Sequence, residues 1–402
     1  MTACPLPLEE LEASIEDPSR PLFFPPSAYT SAAFHEFELE SVWRREWLPV
    51  GRLEEIAEPG DYFSIEIAGE PLLVVRGEDG EVSAMSAVCR HRGMLVAEGR
   101  GHCDRAFICP YHGWAYDRAG CLIGAPQARE MVARGIGLPR LRTEVWHGFV
   151  FVSFDPEAAP LAERLAPLEP IVAPYRLEEL RGEFLADPDY TFEFDHDWNW
   201  KVYADGQNEC YHCDKLHGDT PVIQHTDCGS IDFQLLEPEL GIFHFELRNR
   251  DLDVTLNHLG RAIFAPIPGL TEEQRRVTQT ISIAPGMLLI LMPDSAIALS
   301  YFPTEPTSMR VKRHRLYPQR TLSRPDFAAR HAEETVAVRT FVSQDEYAFA
   351  RVQHGLESGF APRGPIASRE QVLVGVNRWL VDRYRAAGGS SAVVGAPTGE
   401  HS

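Results

Sequence analysis

The sequence predicts an α+β protein in which a small all-β module precedes a domain of antiparallel sheet and one long, late helix. Three observations carry this expectation. From Trp47 to about Phe154 short apolar runs alternate with turn residues. Further strand-like runs succeed one another between residues 190 and 316, and only from about 326 to 352 does a long stretch read with helical period. Strands first and a long helix late is the order of an α+β domain rather than of alternating βα units. A chain of 402 residues is long enough for two cores.

Residues 1–45 form an arm that is Pro- and Glu-rich and turns helical in period over 34–43, as if packed on a neighbouring surface. The all-β module is assigned to 46–155. Runs at 63–67 and 72–75 flank Gly69, a strand from Glu81 follows Gly77-Glu78-Asp79-Gly80, and 145–154 reads as one strong closing strand. Residues 157–181 are expected to be helical and to cover the junction with the second domain, 156–385. That domain has strand-like runs at 190–194, 241–247, 279–283, 287–292 and 310–316. The Gly/Ser-rich stretch 386–402 is expected to be a disordered tail.

Composition bounds the function. Hydrophobic residues make up 44% and charged residues 24%, ordinary for a globular protein. A net charge of −21 argues against nucleic acid or an anionic membrane surface as partner and leaves room for a basic redox partner. Eight scattered cysteines are too few for a disulfide scaffold. The N-terminus lacks a basic start followed by an apolar run, so no secretory leader is expected. The most apolar segment, 281–299, is broken by Pro285, Gly286, Pro293 and Asp294, so no membrane span is expected either. The expected compartment is the cytoplasm.

The chemistry concentrates first in Cys89-Arg90-His91, seventeen residues, then Cys109-Pro110-Tyr111-His112-Gly113-Trp114. Each half brings one thiolate and one imidazole to a common point. Two thiolates on one iron and two imidazoles on the other is the ligand set of a Rieske [2Fe–2S] cluster. Structural zinc takes the same four ligand types, but its knuckles pair Cys with Cys and His with His. Here each loop is mixed.

These two loops resemble the Rieske domain of the Rieske non-heme iron oxygenases, in particular their catalytic α subunit. Respiratory Rieske proteins resemble it too, but carry an extra cysteine in each loop, where this chain has Met94 and Tyr111. The resemblance covers about residues 40–380 and implies a helix-grip catalytic domain with a mononuclear Fe(II). The run from Trp198 through Lys201, Asp205, Glu209, Cys210, His212 and Cys213 to His217 matches the family's second motif. His212 and His217 are five apart, wrong for one face of a regular helix, so an irregularity between them is expected. Two His and one carboxylate make the facial triad of O2-activating Fe(II) enzymes. By the match of Gln344-Asp345-Glu346 to the family's C-terminal signature, the carboxylate is Asp345 rather than Glu346.

The resemblance further implies that Glu209 is an electron-transfer bridge between His112 of one subunit and His212 of the next, in a head-to-tail homotrimer. Asp205 is expected to support the iron ligands from behind. Cys210 and Cys213, which flank His212, are expected to be packing residues rather than a redox pair. His102, His147, His196, His225 and His258 have no ligand pattern. The aromatics Phe192, Phe194, Tyr203, Phe243, Phe245, Phe264, Tyr301 and Phe302 are expected mostly in the sheet core.

The implied activity is that of a terminal oxygenase using O2. Electrons from NAD(P)H arrive through a separate reductase or ferredoxin, since the chain has no flavin or nucleotide fingerprint. Glutamate rather than aspartate three residues before His212 resembles the branch that oxidises choline, carnitine and betaines, small organic cations that an aromatic cage would hold. The alternatives are an aromatic ring-hydroxylating oxygenase acting on an aromatic acid, and a Rieske electron-transfer protein with no oxygenase site.

Overall fold

The computed structural model describes residues 3–185, 192–220, 232–255, 259 and 261–389. A seven-stranded antiparallel sheet runs in the order Leu48–Arg52, Phe149–Ser153, Arg140–Trp146, Val82–Ser86, Glu70–Arg76, Asp61–Ile67 and Arg100–His102. Beside it, Phe107–Ile108, Ala115–Tyr116 and Leu122–Gly124 form a three-stranded sheet. The expected single strand over 145–154 is instead a hairpin. His147 and Gly148 both have positive φ, 45° and 81°, the two-residue turn whose twist matches the strands it joins.

The second sheet has eight strands. Leu180–Gly182, Ser308–Pro318, Ala296–Glu305, Met287–Leu291, Val277–Ile283, Ile242–Arg248 and Asp232–Glu237 lie side by side, and Glu193–His196 pairs with Ser308–Pro318 as well. On one face Ile281, Ile283, Leu289, Leu291 and Leu316 pack against Trp47, Phe149 and Phe151 of the first sheet's region. On the other, Tyr301 meets Tyr203, whose ring meets Phe349 of the helix Phe327–Leu356. The long helix therefore lies across the sheet, as expected.

Two further expectations need correction. Residues 157–181 form not one helix but short turns of helix, Leu161–Leu165 and Glu169–Val172 among them, with prolines at 160, 167, 170 and 174 limiting each one. A helix at Val372–Gly389 was not anticipated. It carries the apolar face Leu373, Val376, Leu380 and Tyr384 onto the N-terminal arm, so the tail begins later than 386; residues 390–402 lie outside the described residues. The arm is anchored on the chain's own second domain. Phe34 and Phe37 pack on Tyr384, and buried Glu38 accepts hydrogen bonds from Lys201 Nζ at 2.5 Å and Tyr384 OH at 2.5 Å. No helix among the described residues is long and apolar enough to cross a membrane.

The two sheets are joined by a buried charge cluster. The fully buried Glu55 carboxylate accepts from Arg52 N at 2.7 Å and lies 2.8 Å from both Lys312 Nζ and His314 Nε2, with Arg100 as a further partner. Lys312 Nζ also donates to Val50 O. Burial opposes the charge on Glu55, but Lys312, His314 and Arg100 outweigh it and hold the carboxyl well below the usual range. Such a group stabilises the fold fully above the ordinary carboxylate range, and that contribution disappears as pH falls through the depressed pKa. Glu55→Gln leaves Lys312 buried without its counter-charge, so a loss of about 3–5 kcal/mol is expected at pH 7. In thermal melts, the gap to the parent chain should narrow steadily below about pH 4. A gap constant between pH 7 and pH 3 would rule out a charged Glu55 as the joint.

Candidate active site

Two six-residue loops build the first centre. In each, the cysteine N–H donates to the carbonyl five residues on (Met94 and Trp114), and a glycine N–H, Gly93 or Gly113, returns to the cysteine carbonyl. Both glycines have positive φ, 78° and 71°, which a side chain would strain. The sequence spacing differs, C-x-H against C-x2-H, yet the backbone closure is the same. Cys89 and Cys109 are buried, unbonded to other cysteines and within hydrogen-bond reach of each other. Burial pushes the Cys109 thiol up, opposed by the N–H groups of Tyr111 and His112. The imidazoles of His91 and His112 stand 4.6 Å apart at the exposed tip, with Trp114 stacked on His91. Tyr116 OH lies 3.3 Å from Cys89 Sγ and accepts from Arg90 N. Paired buried thiols under paired exposed imidazoles, with N–H donors aimed at a sulfur, fit a Rieske cluster and its preference for thiolate ligands.

The second centre lies where the helix Trp200–Gln207 stops. Asn199 caps its start, and Gln353 of the long helix accepts from Asn199 N at 2.9 Å, fixing the two helices together. Any Cβ at Gly206 would meet the ring of Phe349, so only glycine allows this approach. The chain then turns through Asn208–Tyr211 into the short helix Cys213–Leu216, with His212 at its N-cap and His217 at its C-cap. This irregularity is what five-residue spacing requires, and it turns both rings inward.

His212, His217 and Asp345 each offer a ligand atom within 4.8 Å of the others. Asp345 Oδ1 is 2.9 Å from His217 Nε2 and 3.6 Å from His212 Nε2. At 2.9 Å the His217 pair is close but off the hydrogen-bonding direction, so both atoms stay buried without a hydrogen-bond partner. Orphaned lone pairs converging on one point are costly unless a cation fills it, and the donor set fits Fe(II). Outward-facing nitrogens are satisfied. His212 Nδ1–H donates to Glu209 Oε1, and His217 Nδ1 is 2.8 Å from Gln344 Oε1. Burial works against protonated His212, but Glu209 and then Asp345 raise its affinity for a proton overall. Glu346, one residue on, is not in the convergent set.

Glu209 also accepts from Tyr211 N and caps this turn. With His212 it lines a cavity of about 620 Å³, together with Asp205, Glu370, Tyr29 and Phe360. Of the three converging residues only His212 lines this cavity, beside its partner Glu209. Asp205 is thus placed differently from expectation. It sits in the cavity wall, accepts from Tyr29 OH at 2.8 Å, and burial pushes its carboxyl up to about 7 against the pull of Tyr29 and Lys201.

Other expectations resolve simply. Cys210 and Cys213 form a disulfide across His212 rather than packing as free thiols. His102 pairs with Asp61, His147 with Glu178, and His196 stacks on Trp198. His225 and His258 lie outside the described residues. Tyr203, Phe243, Phe245, Phe264, Tyr301 and Phe302 are buried, while Phe194 is exposed. Sequence reasoning missed Gln344, Tyr29 and Glu370. Of these only Gln344 carried a signal, its place beside Asp345.

Comparison with known proteins matches both parts of the chain to families. The family described as the Rieske [2Fe-2S] domain matches residues 46–142, and that described as the ring hydroxylating alpha subunit (catalytic domain) matches 185–386. The chain is 31% identical over 196 residues to the glycine betaine monooxygenase oxygenase subunit of Chromohalobacter salexigens, covering 48% of this chain and 42% of that one. It thus spans about half the length of the curated relatives it matches. Among solved structures it is similar to a quaternary ammonium Rieske monooxygenase in complex with L-carnitine, with TM-score 0.75, 20% identity, and 96% and 99% of the two chains covered. It is equally similar to a naphthalene 1,2-dioxygenase from Rhodococcus sp., with TM-score 0.74, 18% identity and the same coverage. At such identities these likenesses speak for the fold alone, and the fold does not choose between the two substrates.

Two substitutions separate the centres. Cys109→Ser should abolish the visible Rieske spectrum, whereas Asp345→Ala should keep the brown-red colour and lose the third iron per chain. Glu346→Ala should retain three irons by metal analysis. Loss of the third iron in Glu346→Ala but not in Asp345→Ala would shift the ligand by one residue.

Proposed function

Since the chain belongs to the family of ring hydroxylating alpha subunits, we propose that it is the terminal oxygenase of a Rieske non-heme iron system. Its cofactors are those of the family, a Rieske [2Fe–2S] cluster and a mononuclear iron. In this reading Cys89, His91, Cys109 and His112 hold the cluster, and His212, His217 and Asp345 hold the iron. The convergence of three ligand atoms just beyond the end of the Trp200–Gln207 helix, two of them buried without a hydrogen-bond partner, is the observation that carries it. Once bound, the cluster supplies single electrons and the iron supplies O2 activation. The protein's part is position, dryness and charge. Electrons come from NAD(P)H through a separate reductase.

Glu209 is the proposed bridge for the electron. Its carboxylate holds His212 by Nδ1 and still faces the cavity. Among the described residues no hydrogen bond, ion pair or ring contact joins the His91–His112 tip to this set within one chain. The two surfaces complement each other. The tip carries Arg90 and Arg92 with exposed Tyr111 and Ile108, and no acidic residue in 88–97 or 105–116. The cavity is lined by three carboxylates, no Lys or Arg, and the exposed Phe360. A head-to-tail homotrimer would place one chain's tip in the next chain's cavity, so that Glu209 links His112 to His212 through a heterologous interface closed by a three-fold axis.

The substrate class that the reading favours is a small quaternary ammonium compound or betaine, hydroxylated and then released by N-demethylation or C–N cleavage. Supporting it are Glu209, in the place where ring-hydroxylating dioxygenases usually carry an aspartate, and the likeness to glycine betaine and carnitine monooxygenase oxygenase subunits. Coupled O2 uptake with a surrogate reductase should therefore appear with glycine betaine or carnitine and be absent with benzoate. The reverse pattern would move the enzyme to the aromatic acids.

The route has its own test. Glu209→Ala should keep three irons and the trimer while single-turnover oxidation of the reduced cluster slows about 10–100-fold or more. Mixing Cys109→Ser chains with Asp345→Ala chains should restore part of the activity, because each supplies the centre the other lacks. A monomer turning over at full rate would end the trimer account.

A further inference from the structure

We propose that Gln344 is the positioning residue that sets which nitrogen of His217 carries its proton, and so which one is free for the metal. This rests on reading His212, His217 and Asp345 as one metal set. His217 is fully buried, so water cannot choose its tautomer. Its Nδ1 lies 2.8 Å from Gln344 Oε1, and its ring is stacked on Phe341 at 3.9 Å between centroids and 24° between planes. Phe341 fixes the ring plane and Gln344 fixes the proton.

The competing assignment flips the amide, so that Gln344 NH2 donates to Nδ1 and the imidazole proton moves to Nε2. Geometry argues against it. A proton on Nε2 would find Asp345 Oδ1 only 2.9 Å away but outside the hydrogen-bonding direction, leaving both groups buried and unsatisfied. With the amide oxygen toward Nδ1, the orphaned pair becomes two lone pairs facing one point. The two histidines are then held alike at Nδ1 but by acceptors of different charge, the Glu209 carboxylate for His212 and a neutral amide for His217. Gln344 and Asp345 are adjacent on the long helix, so the residue that supplies the carboxylate is placed together with the one that orients the imidazole.

Co(II) is a suitable probe in the full chain, because imidazole N–H protons of its ligands appear as strongly shifted, exchangeable NMR signals. The parent chain should show two, one from each histidine. Gln344→Met, similar in length but no acceptor of comparable strength, should lose or greatly speed the exchange of the His217 signal and weaken Co(II) binding about 10–100-fold. Gln344→Glu restores an acceptor oxygen and should restore both the signal and the affinity. An unchanged Co(II) affinity and both signals in Gln344→Met would overturn the proposal, as would a Gln344→Glu chain that behaves like Gln344→Met. The underlying metal reading fails differently: His217→Ala would then bind Co(II) as well as the parent does.

Discussion

Two imidazoles and a carboxylate, with one ligand atom of each converging on one point, form the constraint on which the rest of this structure depends. Without a cation such a point is unfavourable, because His217 Nε2 and Asp345 Oδ1 are buried there with no hydrogen-bond partner. The surrounding chain has to hold it open. It does so with a helix that ends at Gln207, a turn capped by Glu209, a one-turn helix that carries the two histidines at its ends, and a thirty-residue helix that brings Asp345 across. Asn199 to Gln353 and Gly206 against Phe349 lock the two helices at the spacing this needs. The sheet beneath, through Tyr301 and Tyr203, gives that pair of helices a floor.

Much of this was legible in the sequence, and the reasons differ by element. The mixed Cys/His loops were readable because ligand identity and turn glycines are local properties. The long helix was readable because thirty residues sustain a period. His212 and His217 announced an irregularity by their spacing alone. What stayed hidden depends on distant partners. The largely apolar run over 145–154 conceals a turn at His147-Gly148, because the strand-like residues on both sides read as one element until their pairing is seen. The helix Val372–Gly389 was overlooked beside a Gly/Ser-rich terminus, although its apolar face is what receives Phe34 and Phe37 of the arm. Asp205 lies in the same motif as the iron histidines and was expected to support them; its hydrogen-bond partner, Tyr29, comes from 176 residues away.

Charge was legible in the sequence mainly as a total, and the local distribution differs from it. A net charge of −21 suggests a basic partner for electron transfer. Yet the surface around His91 and His112 is locally cationic, with Arg90 and Arg92 and no acid in the loops, while the cavity beside His212 is locally anionic. Over a Debye length of about 8 Å at physiological salt, a docking partner responds to these patches and hardly to the sum.

The proposed trimer joins the two patches, and this gives the bridge a physical logic. Copies of a chain this acidic repel one another at long range, most strongly at low ionic strength. Added salt screens that repulsion, and also screens exposed Arg–carboxylate pairs at the rim of the contact. The buried part of the contact, Glu209 on His212 with the apolar Tyr111, Ile108 and Phe360 around it, is screened least. Assembly in this reading therefore depends on apolar burial and a few short-range hydrogen bonds, with charge mainly choosing the register. Glu209 is well suited to a contact of that kind. One carboxylate oxygen is committed to His212 and the turn's own N–H groups keep the side chain in place, so little order remains to be gained when a second imidazole arrives.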